Sequence, residues 1–478
     1  MSTQCAISIP TEDFQHLAAT NSEIQWHPQK QRTERWAYLD SMDGLLQAKQ
    51  LIAIQKNGHF WLGKLNKIPT SKQWIRQRQF TVANQCRYQP WRQKLDKALG
   101  LRALKTHKAI DWNATDWLVI TDSGDKLAEV TSYQSSNDKP LVVMALTIEK
   151  GAKNQLFKSL SNARQLSNDD IYLPAITYQP KPELAMQYSD SGRAVINRFG
   201  DALLNVVDTN FDEVINDLDI ECLHEYRVAL RRFRSLLPLT KSFYTEGEYI
   251  HAANALKALM APTGETRDLD VFLTTQPQML GALPSTLQPG VNAFYAWLAK
   301  RRQQAFRRLT RQMRQPSYRA NIDTLRQLCL ATHSASIAGP IAIRALSKKY
   351  AKARKLINGL GPSSHEEAIH QARIACKKLR YALEFATPLL TRPYDLIKPL
   401  KDIQESLGAF NDVCVQRQFM LDSLEQYHGK EPTVYAVIGA MLLKQEQRIS
   451  IEKASILDEL RQLTKEKVSQ RYQHPEVK

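Results

Sequence analysis

The chain has 478 residues, of which 43% are hydrophobic and 24% charged, enough for two or three folded domains with a substantial core. Its formal net charge is +17, built from 24 basic against 18 acidic residues up to residue 190 and 41 against 30 beyond it. Such a field attracts polyanions: nucleic acid, anionic lipid or a phosphate polymer.

Six scattered cysteines (Cys5, Cys86, Cys222, Cys329, Cys376 and Cys414) include no C-x-x-C pair, which fits reduced thiols and argues against a disulfide framework or a zinc site. The opening MSTQCAISIPTED has no signal-peptide pattern. The longest apolar run, VYAVIGAMLL at 434–443, is about half a membrane span, so a cytoplasmic protein without membrane contact is expected. Along the chain, QLIAIQKNGHFWLGKL (50–65) reads as two strands around Asn57-Gly58, a dipeptide suited to a tight hairpin. DWLVITDSGDKLAEVTSY (116–133) repeats the form, with its turn at Asp122 to Asp125. PLVVMALTIEKG (140–151) reads as a further strand and GAKNQLFKSLSNARQL as a helix, giving an antiparallel α+β domain over 1–178. A linker at 179–192, with Pro180 and Pro182, separates it from an all-α domain over 193–470.

That second domain repeats itself. HEYRVALRRFRS (224–235) aligns without gaps to HQARIACKKLRY (370–381), pairing His224 with His370, Arg227 with Arg373, Arg231 with Lys377, Arg232 with Lys378 and Arg234 with Arg380. Downstream, ALKALMAPTGETRDLDV (255–271) aligns to PLKDIQESLGAFNDVCV (399–415), pairing Lys257 with Lys401 and Asp268 with Asp412. Two related halves, about 193–340 and 341–470, are therefore expected. At about 100° per residue, His224, Arg227, Arg231 and Arg234 fall within a sector of roughly 80°, with Leu230, Phe233 and Leu237 on the core side. His370, Arg373, Lys377 and Arg380 repeat that stripe. Like charges at this spacing repel, and no acidic residue stands among the stripe positions themselves, so a merely solvated face does not account for them.

Arginine forks grip phosphate oxygens and lysine adds point charge. The aromatics Tyr226 and Phe233 lie on the apolar side, and their counterparts are Ala372 and Leu379, so the repeated feature is charge without base stacking. This favours a polymer of phosphates over nucleic acid. His224 and His370 have three readings: donors to phosphate, structural residues at a helix start, or metal ligands. Asp268 and Asp412 either cap a helix or orient a basic side chain.

HEYRVALRRFRS, GETRDLDV, HQARIACKKLRY and LGAFND together resemble the motifs of the CHAD family, the conserved-histidine α-helical domain, over about 193–465. The resemblance implies two pseudo-symmetric four-helix halves and binding of inorganic polyphosphate, at polyphosphate granules, with no cofactor, metal or catalytic residue. It implies a binding set of His224, Arg227, Arg231, Arg232, Arg234, Lys257, Arg267, His370, Arg373, Lys377, Lys378, Arg380 and Lys401. ERWAYLDSMDGLLQAKQLIAIQKNGHFWLGKL (34–65) resembles the strand-rich core of the CYTH triphosphate-tunnel family, but the E-x-E-x-K motif is absent and residues 44–95 contain no Asp or Glu. Metal-assisted triphosphate hydrolysis needs carboxylates, so a degenerate, inactive CYTH-like domain is expected. The alternatives are a triphosphate hydrolase working through the first domain and a nucleic-acid-binding protein working through the second. Oligomeric state has no sequence signal.

Overall fold

The computed structural model describes residues 3–478 except 21–22, 66, 70–72, 78–80, 136–140, 161, 168, 172, 183–184 and 331–335. Pro140 of the expected strand, Ser161 of the expected helix and residues 183–184 of the expected linker lie outside the described residues. Two units divide after Pro180.

The first unit is a nine-stranded antiparallel sheet of β1 (Thr3–Pro10), β2 (Ile24–Asp40), β3 (Leu51–Lys56), β4 (His59–Lys64), β5 (Ile75–Arg76), β6 (Lys105–Thr121), β7 (Lys126–Ser135), β8 (Leu141–Ile148) and β9 (Arg164–Gln165), in the order β5-β4-β3-β2-β6-β7-β8-β1-β9. Helices α1 (Thr11–Thr20), α2 (Leu45–Ala48), α3 (Gln89–Leu99) and α4 (Lys153–Ser159) flank it. The β3–β4 hairpin forms as read, with Lys56 opposite His59 and both turn residues left-handed, Asn57 at φ 41° and Gly58 at φ 74°. The second hairpin is the tip of the longer β6–β7 pair, and β8 follows.

The helix expected over 151–166 is shorter. Its buried Leu156 and Leu160 supply one turn of apolar face, and the chain then lays Arg164 and Gln165 against Ser8 and Ile7, filling the free edge of β1. Trp36, Trp112 and Tyr133 centre one core, and Phe14, Trp26 and Val130 another.

The second unit is all helical: α5 (Gly192–Ile215), α6 (Ile220–Leu236), α7 (Glu246–Met260), α8 (Gly264–Leu273), α9 (Gln276–Ala282), α10 (Gln288–Met313), α11 (Pro316–Leu330), α12 (Ala338–Asn358), α13 (Glu366–Ala386), α14 (Tyr394–Gln426), α15 (Thr433–Leu463) and α16 (Glu466–Gln473). The internal repeat is visible in the packing. α5 packs on α6 as α12 packs on α13, α8 on α10 as α14 on α15, and α5 on α11 as α12 on α16. Each half thus has four long helical segments and a shorter closing helix, α11 or α16. Where the first half breaks into α7 and α8, the second runs through as α14. Pro262 sits in the 3-10 turn Ala261–Thr263 between α7 and α8, and its aligned position in α14 is Ser406. Proline removes a helix donor and crowds the preceding turn, so only the first half is interrupted there. Across the halves, α6 packs on α13 and α10 on α15. Cys222 and Cys376 are fully buried, as small hydrophobes would be, and all six cysteines are free thiols. Among the described residues no helix is long and apolar enough to cross a membrane.

Candidate anion-binding site

α6 begins at Asp219, whose carboxylate accepts the backbone N–H groups of Glu221 and Cys222, both at 2.9 Å. Leu223, Tyr226, Leu230 and Phe233 bury one side of the helix, and Ile369, Ala372, Cys376 and Leu379 do the same for α13. Packing these faces turns the basic stripes toward each other where α6 meets α13. Two cavities result. One, of 690 Å³, is lined by His224, Arg227, Arg231 and Arg267 from the first half and by Arg373, Asn411 and Asp412 from the second. The other, of 590 Å³, is lined by Arg231, Arg234, His370, Arg373, Lys377 and Lys378, with Lys349 from α12. Arg231 and Arg373 line both, so the two cavities meet between the halves.

The cations are close enough to perturb one another. Burial lowers the Arg227 pKa; Asp268 opposes this, while Arg231, Arg267 and Arg234 add to it. Burial likewise lowers that of Arg373, against Asp412 and together with Arg231 from the other half. Lys377 responds most: burial first, then Arg373 and Arg231, draw its pKa down to about 8. Asp268 and Asp412 both line the larger cavity, and the charge of each opposes the lowering of its own half's arginine pKa. The arginines differ in their supports. Arg227 donates to the Thr263 hydroxyl in the turn before α8, whereas Leu407 occupies the aligned position in α14. The buried Arg231 Nε finds no acceptor among the described residues, and the residue lines both cavities.

Not every residue of the expected set enters this space. Arg232 lies 3.6 Å from Glu384 of α13, and Arg380 donates to the same carboxylate at 2.9 Å. Glu384 therefore ties two of the repeated cations together across the halves. Arg380 and Lys401 line a separate cavity of 340 Å³ beside Glu384 and Glu405, and Lys401 forms an exposed pair with Glu405 at 3.7 Å. Lys257 is exposed on α7 and lines neither of the two shared cavities. Arg267 does line the larger one, while donating to the Ile220 carbonyl at 3.0 Å and lying 3.6 Å from Glu221.

An acid-free face thus holds along each segment but not in space. Glu384 was invisible to the segment reading because it follows HQARIACKKLRY by three residues. Glu221 and Glu225 stand beside His224, their ligand atoms and the imidazole all within 4.8 Å of one another. Lys349, Lys348 and Lys352 were also missed, although LSKKYAKARKL (346–356) carried the signal: five basic residues and no acid. Phe272 and Phe419 line the larger cavity too, a pair of aromatics outside the repeated segments. Their rings stack on each other at 3.9 Å, so the facing surfaces are occupied.

Residues 199–421 match the sequence model of the CHAD domain. Two uncharacterized proteins from two strains of Mycobacterium tuberculosis are each 26% identical over 220 residues, 44% of this chain and 42% of theirs, so the chain spans less than half the length of these curated relatives. The crystal structure of the CHAD domain from the plant Ricinus communis is 22% identical with a TM-score of 0.51, covering 63% of this chain and 99% of that one. That likeness is one of fold, and it places the helical unit in the same architecture.

Proposed function

Residues 199–421 are a CHAD domain, and on that premise we propose that this chain binds inorganic polyphosphate along the basic groove between its two halves and associates with polyphosphate granules through it. The observation that carries the reading is the pair Arg231 and Arg373, one from each half, lining both cavities. Cations held this close repel one another, and a phosphate chain placed among them relieves that repulsion along its whole length. Of the expected binding set, His224, Arg227, Arg231, Arg234, Arg267, His370, Arg373, Lys377 and Lys378 contact the polymer, and Arg232 and Arg380 are restrained by Glu384. The histidines act as donors to phosphate oxygens.

Nucleic acid is the poorer fit, since Phe272 and Phe419 stack on each other and offer no paired platform to successive bases. The sheet unit is read as a degenerate CYTH-like domain without hydrolytic activity. Among the described residues its three fully buried carboxylates, Glu34, Asp40 and Asp170, are already engaged. Glu34 is held by Arg32, Lys56 and the Trp36 indole; Asp40 accepts the backbone N–H groups of Ser41, Leu46 and Gln47; Asp170 is bonded by Ser8, Arg164 and the Ser167 backbone. Carboxylates committed in this way are poorly disposed to hold a divalent ion against phosphate.

A titration of long-chain polyphosphate against single-stranded DNA, at matched phosphate concentration over a salt series, tests the binding reading. Polyphosphate is expected to bind more tightly, with an affinity that falls steeply as salt rises because counterions are released. Equal affinity for the two polymers, or an affinity indifferent to salt, overturns it. No magnesium- or manganese-dependent release of phosphate from tripolyphosphate is expected. Release that co-purifies with the protein and disappears in Glu129→Gln or Glu149→Gln would show the sheet unit to be active.

A further inference from the structure

The two halves agree in fold but not in the charge of their first helices. Aligning Gly192 of α5 with Gly339 of α12 superposes the buried positions: Val195 on Ala342, Phe199 on Leu346, Leu203 on Tyr350, Val206 on Ala353 and Asn210 on Ile357. In that register, Asp201, Ala202, Asn205 and Asp208 of the first half stand where the second half has Lys348, Lys349, Lys352 and Lys355. An acidic and neutral row has become four lysines.

Those lysines continue the groove. Lys349 is half-buried and lines the 590 Å³ cavity with Lys377 and Lys378. Its pKa is lowered by burial first and then by Lys378, Lys348 and Lys352, so two other lysines of the row act on the amine that lines the cavity. Lys348, Lys352 and Lys355 are exposed, and among the described residues none of the four lies within ion-pair distance of a carboxylate. Nearby Arg354 does have a partner, Glu466 of α16 at 3.7 Å. In α5 the opposite holds, since Asp208 pairs with Arg326. From Lys348 to Lys355 the row advances by roughly 10 Å along the helix.

We propose that the lysine row of α12 is a one-sided extension of the groove, which holds the distal stretch of a long polyphosphate chain and makes the protein select for chain length. The inference rests on the polyphosphate reading above. A chain filling the cavities meets acid or neutral residues on the α5 side and four lysines on the α12 side, so any surplus length is retained in one direction only. Charge complementarity and continuity with the cavity at Lys349 identify the occupant as the same chain, not a second partner.

The test uses the full chain and three variants. The first carries Lys348→Gln, Lys352→Gln and Lys355→Gln, all exposed positions where glutamine keeps helix propensity. The second reverses one charge, Lys352→Glu, and the third, Asp201→Lys with Asn205→Lys, builds the missing row on α5. Each is titrated with a short oligophosphate that fits within the cavities and with a polyphosphate of about a hundred units, with thermal melting to verify folding. For the triple variant the long-chain affinity is expected to fall about tenfold or more and the salt slope to drop by roughly 2, while short-chain affinity stays within a factor of two. Lys352→Glu should act in the same direction, and the α5 variant should bind long chains more tightly than the native protein. Equal losses for short and long chains, or no loss for either, overturn the extension. If the native protein binds neither polymer, it is the groove reading itself that fails.

Discussion

Lys377 is the residue at which the site's electrostatics become measurable. Its folded pKa of about 8 lies below the value of roughly 10.4 for an exposed lysine. Between those two pH values the unfolded chain binds more protons than the folded one. Stability contributed through this group therefore rises as pH increases over that window, and the cost of holding the charged amine is fully present below pH 8. Ligand binding has the opposite dependence. A bound polyanion favours the ammonium, so above pH 8 binding takes up a proton and affinity falls as pH climbs from 7 to 9, by up to about tenfold per unit above 8. Lys377→Arg should remove most of this slope, leaving the smaller part due to Lys349, whose pKa is lowered in the same sense. Calorimetry in two buffers of different ionisation enthalpy counts the protons; no uptake at pH 9 contradicts the assignment. The charged stripe was legible because it recurs within twelve-residue segments. Its perturbation was not, because Arg231 and Arg373 meet Lys377 only through folding.

Between elements, the contact of α6 with α13 is fastened by a single carboxylate. Glu384 binds Arg232 of one helix and Arg380 of the other. Glu384→Gln should cost at most about 1 kcal/mol, because the pair is partly exposed, and lower the melting temperature by roughly 2–4 °C. The same change should raise polyphosphate affinity several-fold by freeing two guanidinium groups, and weaker binding would show that Glu384 positions the cations instead of restraining them. A second crossing is set by shape: a Cβ at Gly290 of α10 would lie 2.8 Å from the Thr433 backbone of α15. Gly290→Val should therefore destabilise the fold by about 1–3 kcal/mol, seen as a shift in denaturant midpoint. Hairpins such as β3–β4 were readable from Asn57-Gly58 alone, since the turn's backbone requirement is local. β2 was not, because Pro28 and the polar run that follows blur the alternation, and its register shifts between Pro28 and Lys30 where it pairs with β6. Its strand character depends on β6, a partner distant in sequence that pairs Ile24 with Thr121 and Asp40 with Lys105.

At the scale of the whole helical unit, duplication made the architecture readable, while the two shared cavities arise only where the copies meet. The matched His/Arg segments announced two halves, but no alignment of one half to the other could reveal that Arg231 and Arg373 line the same two cavities. If they do bind one ligand, the halves cannot act independently. A chain held by one face binds the other intramolecularly, at high effective concentration. Replacing Arg227 and Arg231 with glutamine should then weaken long-chain binding about as much as replacing Arg373 and Lys377. With each partly exposed contact contributing on the order of 1 kcal/mol, either pair should cost about thirtyfold. Stoichiometry decides the matter. A short oligophosphate should titrate to one site per protein, and substitutions in either half should weaken that single site, because its lining comes from both. Two short-chain sites, each indifferent to substitutions in the opposite half, would mean that the repeat made two separate binding faces and no shared groove.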